Sequence, residues 1–234
     1  MIMIYKANQH GRTESNWLNS WFHFSFAEYC NPKRIQFGAL RVINDDLIKA
    51  GTGFGTHPHK DMEIISYVVD GELTHGDSMG NHRVLGRGQV QYMSAGRGVT
   101  HSEYNNGTQT TRLLQIWILP DNKGYNPRYG DYAFDWADRE NQWLHLVSGE
   151  QGKAPVKIHQ DANLYALSLA PNQSIHFEIQ QRRQAYLVLI EGSAIVNGNL
   201  LTMRDGLETV EESLNIEAKE QSHWLLIELA KSTQ

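Results

Sequence analysis

The sequence predicts an all-β protein made of two antiparallel β-barrels. Three observations carry that reading. The apolar segments are short, rich in β-branched and aromatic residues, and bounded by Gly, Asn, Asp and Ser clusters. No long stretch has a 3.6-residue apolar period. Two strand-dense halves flank a polar, turn-rich segment, PDNKGYNPRYGDYAFDWADRENQ, at 120–142.

In chain order, strands are expected at FGALRVIND (37–45), EIISYVVDG (63–71), GQVQYMSAG (88–96) and RLLQIWILP (112–120). The second half offers WLHLVSG (143–149), NLYALSLA (163–170), QAYLVLIEGSAIVNG (184–198), SLNIEA (213–218) and HWLLIEL (223–229). VVDGELTHGD (68–77) and LIEGSAIVNG (189–198) share one pattern: apolar run, acid, Gly, second run. Each reads as a hairpin, and the recurrence suggests an internal duplication. The domains are then 1–120, a crossover at 121–142, and 143–234.

Composition excludes several classes. With 234 residues, 40% of them hydrophobic and 20% charged, the chain can bury a core and does not look disordered. A net charge of −5 argues against a nucleic-acid partner. One cysteine, Cys30, allows no internal disulfide, which suits a reducing cytoplasm. The opening MIMIYKANQHGR has no secretory apolar core, and no apolar run is long enough for a membrane helix.

The chemistry concentrates in GFGTHPHKDMEI (53–64) and GVTHSEYN (98–105). In an extended strand, residues i and i+2 share a face, roughly 6.5–7 Å apart. His57 and His59 then project together, with Pro58 pointing away near a strand start or edge. His101 and Glu103 repeat the spacing 42 residues after His59, room enough for several strands to return to one barrel mouth. Three imidazoles and one carboxylate so gathered would hold a metal ion. Other pairs compete: His75 with Asp77, and His176 with Glu178, both read as turn or surface groups. His10, His82, His145, His159 and His223 stand alone and read as structural or solvated.

The spacing Gly51-x5-His57-x-His59-x3-Glu63-x7-Gly71 resembles the first cupin motif, and Gly88-x5-Ser94-x-Gly96-x4-His101-x3-Asn105 the second. Glu63 falls one position early, Ser94 replaces the usual proline, and the gap before His101 is two residues long. These departures are those of the pirin family, which SWFHFSFAEYCNP (20–32), RVINDD (41–46), SMGN (78–81), SAGRGVTHSEYN (94–105), QIWILP (115–120) and NPRY (126–129) also resemble. The resemblance implies a bicupin, two double-stranded β-helix domains. It also implies one ion held by His57, His59, His101 and Glu103, with Glu63 kept off it by a bulge or turn at 60–62.

A His3Glu set with open positions suits Fe(II), though Ni, Cu, Mn, Co or Zn would fit the same ligands. Pirins resemble quercetin 2,3-dioxygenases. That implies a flavonol-like aromatic substrate, O2, ring opening with loss of carbon monoxide, and Glu103 as the group taking the flavonol proton. His23, Phe24 and Phe26 are candidates for the substrate pocket, whereas Met62 and Met93 fit the core. Because imidazole binds metal only when neutral, occupancy is expected to fall below about pH 6.5. Two other readings are open. One is a non-enzymatic, redox-responsive metalloprotein with a regulatory protein partner. The other is a sugar isomerase, which would need Lys60, Arg97 and Arg112 as a phosphate grip. The second half has no HxH and keeps the barrel without the site.

Overall fold

The computed structural model describes residues 2–231. The chain divides into two compact units. One consists of Gly11–Phe134 with Ile158–Gln160; the other of Met1–His10, Asp135–Lys157 and Asp161–Gln234. The boundaries 1–120, 121–142 and 143–234 therefore need correction. The stretch Arg128–Tyr132, read as part of a crossover, is a strand on Val90–Ser94 in the first unit. Ile2–Tyr5 pairs with Gly206–Val210 in the second unit. Neither pairing has a local signal, because edge strands take their partner from distant sequence.

The first unit has a seven-stranded sheet. Its order is Arg128–Tyr132, Val90–Ser94, Glu63–Asp70, Thr111–Ile118, Leu40–Ile48, Leu18–Phe22, Gly11–Glu14. Its second sheet has four strands, ordered Thr52–His59, Val99–Asn105, Leu73–Asp77, His82–Leu85. Ile48, Val68 and Leu113 from the larger sheet pack on Leu73 and Leu85 from the smaller. The second unit repeats the plan with seven strands and four. Its core joins Leu187, Leu189, Trp224 and Leu226 to Ala194, Val196, Leu214 and Ile216. Both units are two-sheet sandwiches of the jelly-roll kind rather than barrels closed by hydrogen bonds.

The two expected hairpins are corners. Glu63–Asp70 lies in the large sheet and Leu73–Asp77 in the small one, and Arg183–Glu191 and Ser193–Val196 divide in the same way. At each corner the chain turns on a glycine with positive φ, Gly71 at +74° and Gly192 at +88°. A Cβ on Gly192 would lie 2.2 Å from the Gln221 carbonyl oxygen, so the corner requires glycine for space as well. The true two-residue hairpin is Asn197-Gly198, where Val196 pairs with Asn199 and both turn residues have positive φ. No helix among the described residues is long and apolar enough to cross a membrane.

Candidate metal centre

Strand register assembles the site. Thr52–His59 is an edge strand, which tolerates Pro58. It runs antiparallel to Val99–Asn105, with His57 opposite His101. On its other side, Val99–Asn105 pairs with Leu73–Asp77, placing His101 opposite Asp77 and Glu103 opposite His75. Directly opposed residues share a sheet face. The pairs His57/His59, His101/Glu103 and His75/Asp77 therefore lie side by side on one surface.

Donor atoms of His57, His59 and His101 all lie within 4.8 Å of one another. Their ring centroids are 4.5–4.8 Å apart. His57 Nδ1 lies 2.7 Å from the Gly55 carbonyl. A carbonyl only accepts, so Nδ1 of the neutral ring carries the proton and Nε2 keeps its lone pair. That Nε2 faces His101 Nε2 at 3.1 Å. Two nitrogens bound at right angles to one ion at about 2.1 Å would stand about 3.0 Å apart. The facing pair thus fits a shared cation. Burial, then His57 beside it, lowers the pKa of His59 to about 4. Burial, then His57, His59 and His75, lowers His101 to about 2. Both rings are neutral at ordinary pH, so each keeps a lone pair that an ion could take.

Glu103 is buried in a cradle from the larger sheet. Ser66 Oγ donates to its Oε1 at 2.8 Å and Gln91 Nε2 at 2.6 Å. Gln115 Nε2 donates to Oε2 at 2.6 Å. Burial, opposed by the Ser66 hydroxyl and nearby charges, raises its pKa. The donor sets overlap instead of forming one group of four. Glu103 groups with His75 and His101, and His101 belongs to both sets.

Asp77 serves the turn at 78–81, as its sequence setting suggests, accepting from the Met79 and Asn81 backbone N–H groups, but His75 is not a turn or surface group. His75 is fully buried, stacked on Tyr129 at 4.5 Å, and its Nε2 meets Asp77 Oδ2 at 3.0 Å. Burial raises the Asp77 carboxyl, but hydrogen bonds from His75, Asn81 and Met79 outweigh it and the pKa is lowered. The signal was the same i, i+2 spacing. Its partner strand became visible only in the register.

Glu63 behaves as expected. The chain breaks strand at 60–62, with Asp61 at φ +48°, and Glu63 Oε1 accepts from Ser94 Oγ at 2.7 Å. Its Oε2 accepts from the His159 backbone N–H at 3.2 Å. His159, read as isolated, also stacks on Tyr125 at 3.8 Å.

A cavity of about 540 Å³ opens beside the imidazoles, walled by Trp17, Leu18, Phe22, Phe26, Phe54 and Trp117. Phe26 lines it. His23 and Phe24 do not: Phe24 lies under the Arg34 guanidinium, and the His23 carbonyl accepts from Arg34. Alternation along Leu18–Phe22 instead turns Leu18, Ser20 and Phe22 to the cavity. Met93 and Met62 pack with Ile64, Ala95 and Val99. Lys60, Arg97 and Arg112 are absent from the cavity wall, and Arg112 is paired with Asp45 at 2.5 Å. A phosphate grip is therefore not assembled.

The fold and site define a two-domain cupin protein with an imidazole–carboxylate centre in its first domain. The pirin family profile matches residues 5–118, and that of the quercetinase C-terminal cupin domain matches 138–229. The chain belongs to the pirin family. It is 43% identical over 232 residues to the quercetin 2,3-dioxygenase of Escherichia coli K12, covering 98% of this chain and 99% of that protein. It is 41% identical over 222 residues to a pirin-like protein of Caulobacter vibrioides, covering 94% and 96%. The crystal structure of the bacterial pirin YhhW from Escherichia coli with nickel(II) superposes with a TM-score of 0.93. That match has 40% identity and covers 99% of this chain and 100% of YhhW.

The lowered histidine pKa values set a pH dependence. Between about pH 6.5 and 4, the unfolded chain protonates His59 while the folded chain does not. His59 thereby contributes stability that is full above 6.5 and is lost as the pH drops through that window, while Asp46, raised to about 7, contributes the opposite trend. Proton competition for the metal is weakened by the same shifts, so bound metal should persist below 6.5, lower than the sequence alone implies. Thermal unfolding of metal-free protein from pH 7.5 to 4.5 checks the first point. The His59→Phe variant isolates its share, and a Tm difference from wild type that does not vary with pH would remove the assignment of His59 as a buried neutral ring.

Proposed function

We propose that the protein is a metal-dependent dioxygenase that opens a flavonol-type ring with O2 and releases carbon monoxide. The observation that carries this reading is the convergence of His57, His59 and His101 on an aromatic-walled cavity that Glu103 also lines. The name carried by the Escherichia coli relative supports it. His57, His59 and His101 would hold the ion, with Glu103 as the fourth ligand; Fe(II) suits that set. A bound ion supplies Lewis-acid polarisation of a substrate oxygen and a redox contact for O2.

The remaining work belongs to the chain. The rings Phe22–Phe26 (5.3 Å, tilted), Phe26–Trp117 (5.4 Å, edge on) and Trp117–His59 (5.0 Å, edge on) make a continuous wall that leads to the imidazoles. Such a wall orients a flat ring system and excludes water. Glu103 takes the flavonol hydroxyl proton. Ser66, Gln91 and Gln115 fix its direction toward that proton. The single cysteine, Cys30, is free and exposed, which fits a cytoplasmic setting.

The test is oxygen uptake and carbon monoxide release with quercetin, using protein reconstituted anaerobically with Fe(II). Both gases should change in step with flavonol loss. Metal-loaded protein that binds quercetin without consuming oxygen would sink the enzymatic reading.

A further inference from the structure

The cavity wall has polar groups that the metal centre does not use. Asn44 and Asp46 are two residues apart on Leu40–Ile48, share a face, and both line the cavity. Asp45 between them points the other way, to Arg112. Asn44 is only 3% exposed, yet its Oδ1 has no hydrogen-bond partner. Asp46 is also 3% exposed. Among the described residues its one side-chain hydrogen-bond partner is Ser20, whose hydroxyl donates from directly across on Leu18–Phe22. Burial, opposed by Ser20, raises Asp46 to about 7. Burying these groups in a mainly aromatic wall costs folding free energy unless a partner arrives.

Register locates them along the cavity. Trp117 is paired with Val42, Gln115 with Asn44, and Leu113 with Asp46. His59 packs on Trp117 and Glu103 is bonded to Gln115. Asn44 is therefore level with Glu103. Asp46 lies one same-face step beyond it, roughly 7 Å farther from the His59 end.

We infer that Asn44 and Asp46 form a second polar subsite that binds a hydroxyl at the far end of the substrate. It deepens the flavonol reading by naming the ligand class: planar aromatics with two hydroxyls roughly 7 Å apart, one at Glu103 and one at Asp46. Asp46 accepts or shares the far hydroxyl's proton, and Asn44 supplies the amide contact. A ligand lacking that hydroxyl leaves both groups unpaired, which is how a polar site rejects an analogue.

The test avoids flavonols, so that it can fail independently of the dioxygenase reading. Zn(II)-loaded protein is titrated with naphthalene-2,6-diol and with 2-naphthol, following tryptophan fluorescence. Wild type should prefer the diol by about tenfold or more. Asp46→Leu and Asn44→Leu should each reduce that preference by weakening diol binding, with 2-naphthol unchanged or tighter. Asp46→Asn, nearly the same shape, serves if the leucine variant does not fold. Equal affinity of wild type for the two probes, no binding of either, or a preference that survives the substitutions overturns the subsite. Failure of quercetin turnover with the diol preference intact would overturn only the dioxygenase reading.

Discussion

Replacing His101 by alanine should abolish metal binding while leaving the protein folded. His101 is the shared member of both donor sets, and its Nε2 faces His57 Nε2 at 3.1 Å. Without it neither set keeps three members, and the proposed four-ligand centre is left with two imidazoles and one carboxylate. The loss should exceed the 10–100-fold in affinity that changing an outer-shell partner typically costs. The apolar core of the unit, built on Ile48, Val68, Leu73, Leu85 and Leu113, does not involve the histidine. Circular dichroism should therefore be unchanged. Metal analysis of purified His101→Ala showing full occupancy would remove the assignment. His59→Ala and His75→Ala decide between the two sets. If the ion sits among His57, His59 and His101, the first variant loses it and the second weakens it.

Glu103→Gln should cut turnover by about 10²–10⁴, the usual cost of losing a general base. The carboxylate accepts from Ser66, Gln91 and Gln115. A carboxamide turns one of those acceptors into a donor and sets it against a donating amide. Gln91 Oε1 is buried without a partner, so a flip of that amide can absorb the conflict. The stability loss should then stay within about 1–3 kcal/mol. Three imidazoles remain, and some metal should be retained. Raising the pH ionises the free flavonol and should partly rescue the variant. Oxygen uptake per bound metal is compared for both proteins from pH 6 to 9. Equal rates throughout would mean that Glu103 is a ligand only and that the proton leaves by another route.

The all-β class, nine strand-bearing segments, and the faces of His57/His59 and His101/Glu103 were legible in the sequence. Each follows from a local rule: alternation places i and i+2 together whatever the strand later pairs with. The break before Glu63 was also legible, but through family resemblance rather than through periodicity. Local rules fail where two positions must meet across the fold. The 68–77 and 189–198 stretches look like hairpins because a glycine after an acid permits a reversal. Nothing local says whether the chain returns along the same sheet or crosses to the facing one. His75 has the same spacing as the recognised pairs, but its neighbour Glu103 is set by strand order. The polar row Asn44–Gln115–Ser66–Gln91 comes from four strands in register, one residue from each, so no window of sequence contains it. Alternation fixes which face a side chain takes. Only packing of the two sheets decides what that face meets, because register is chosen by the summed burial of whole strands.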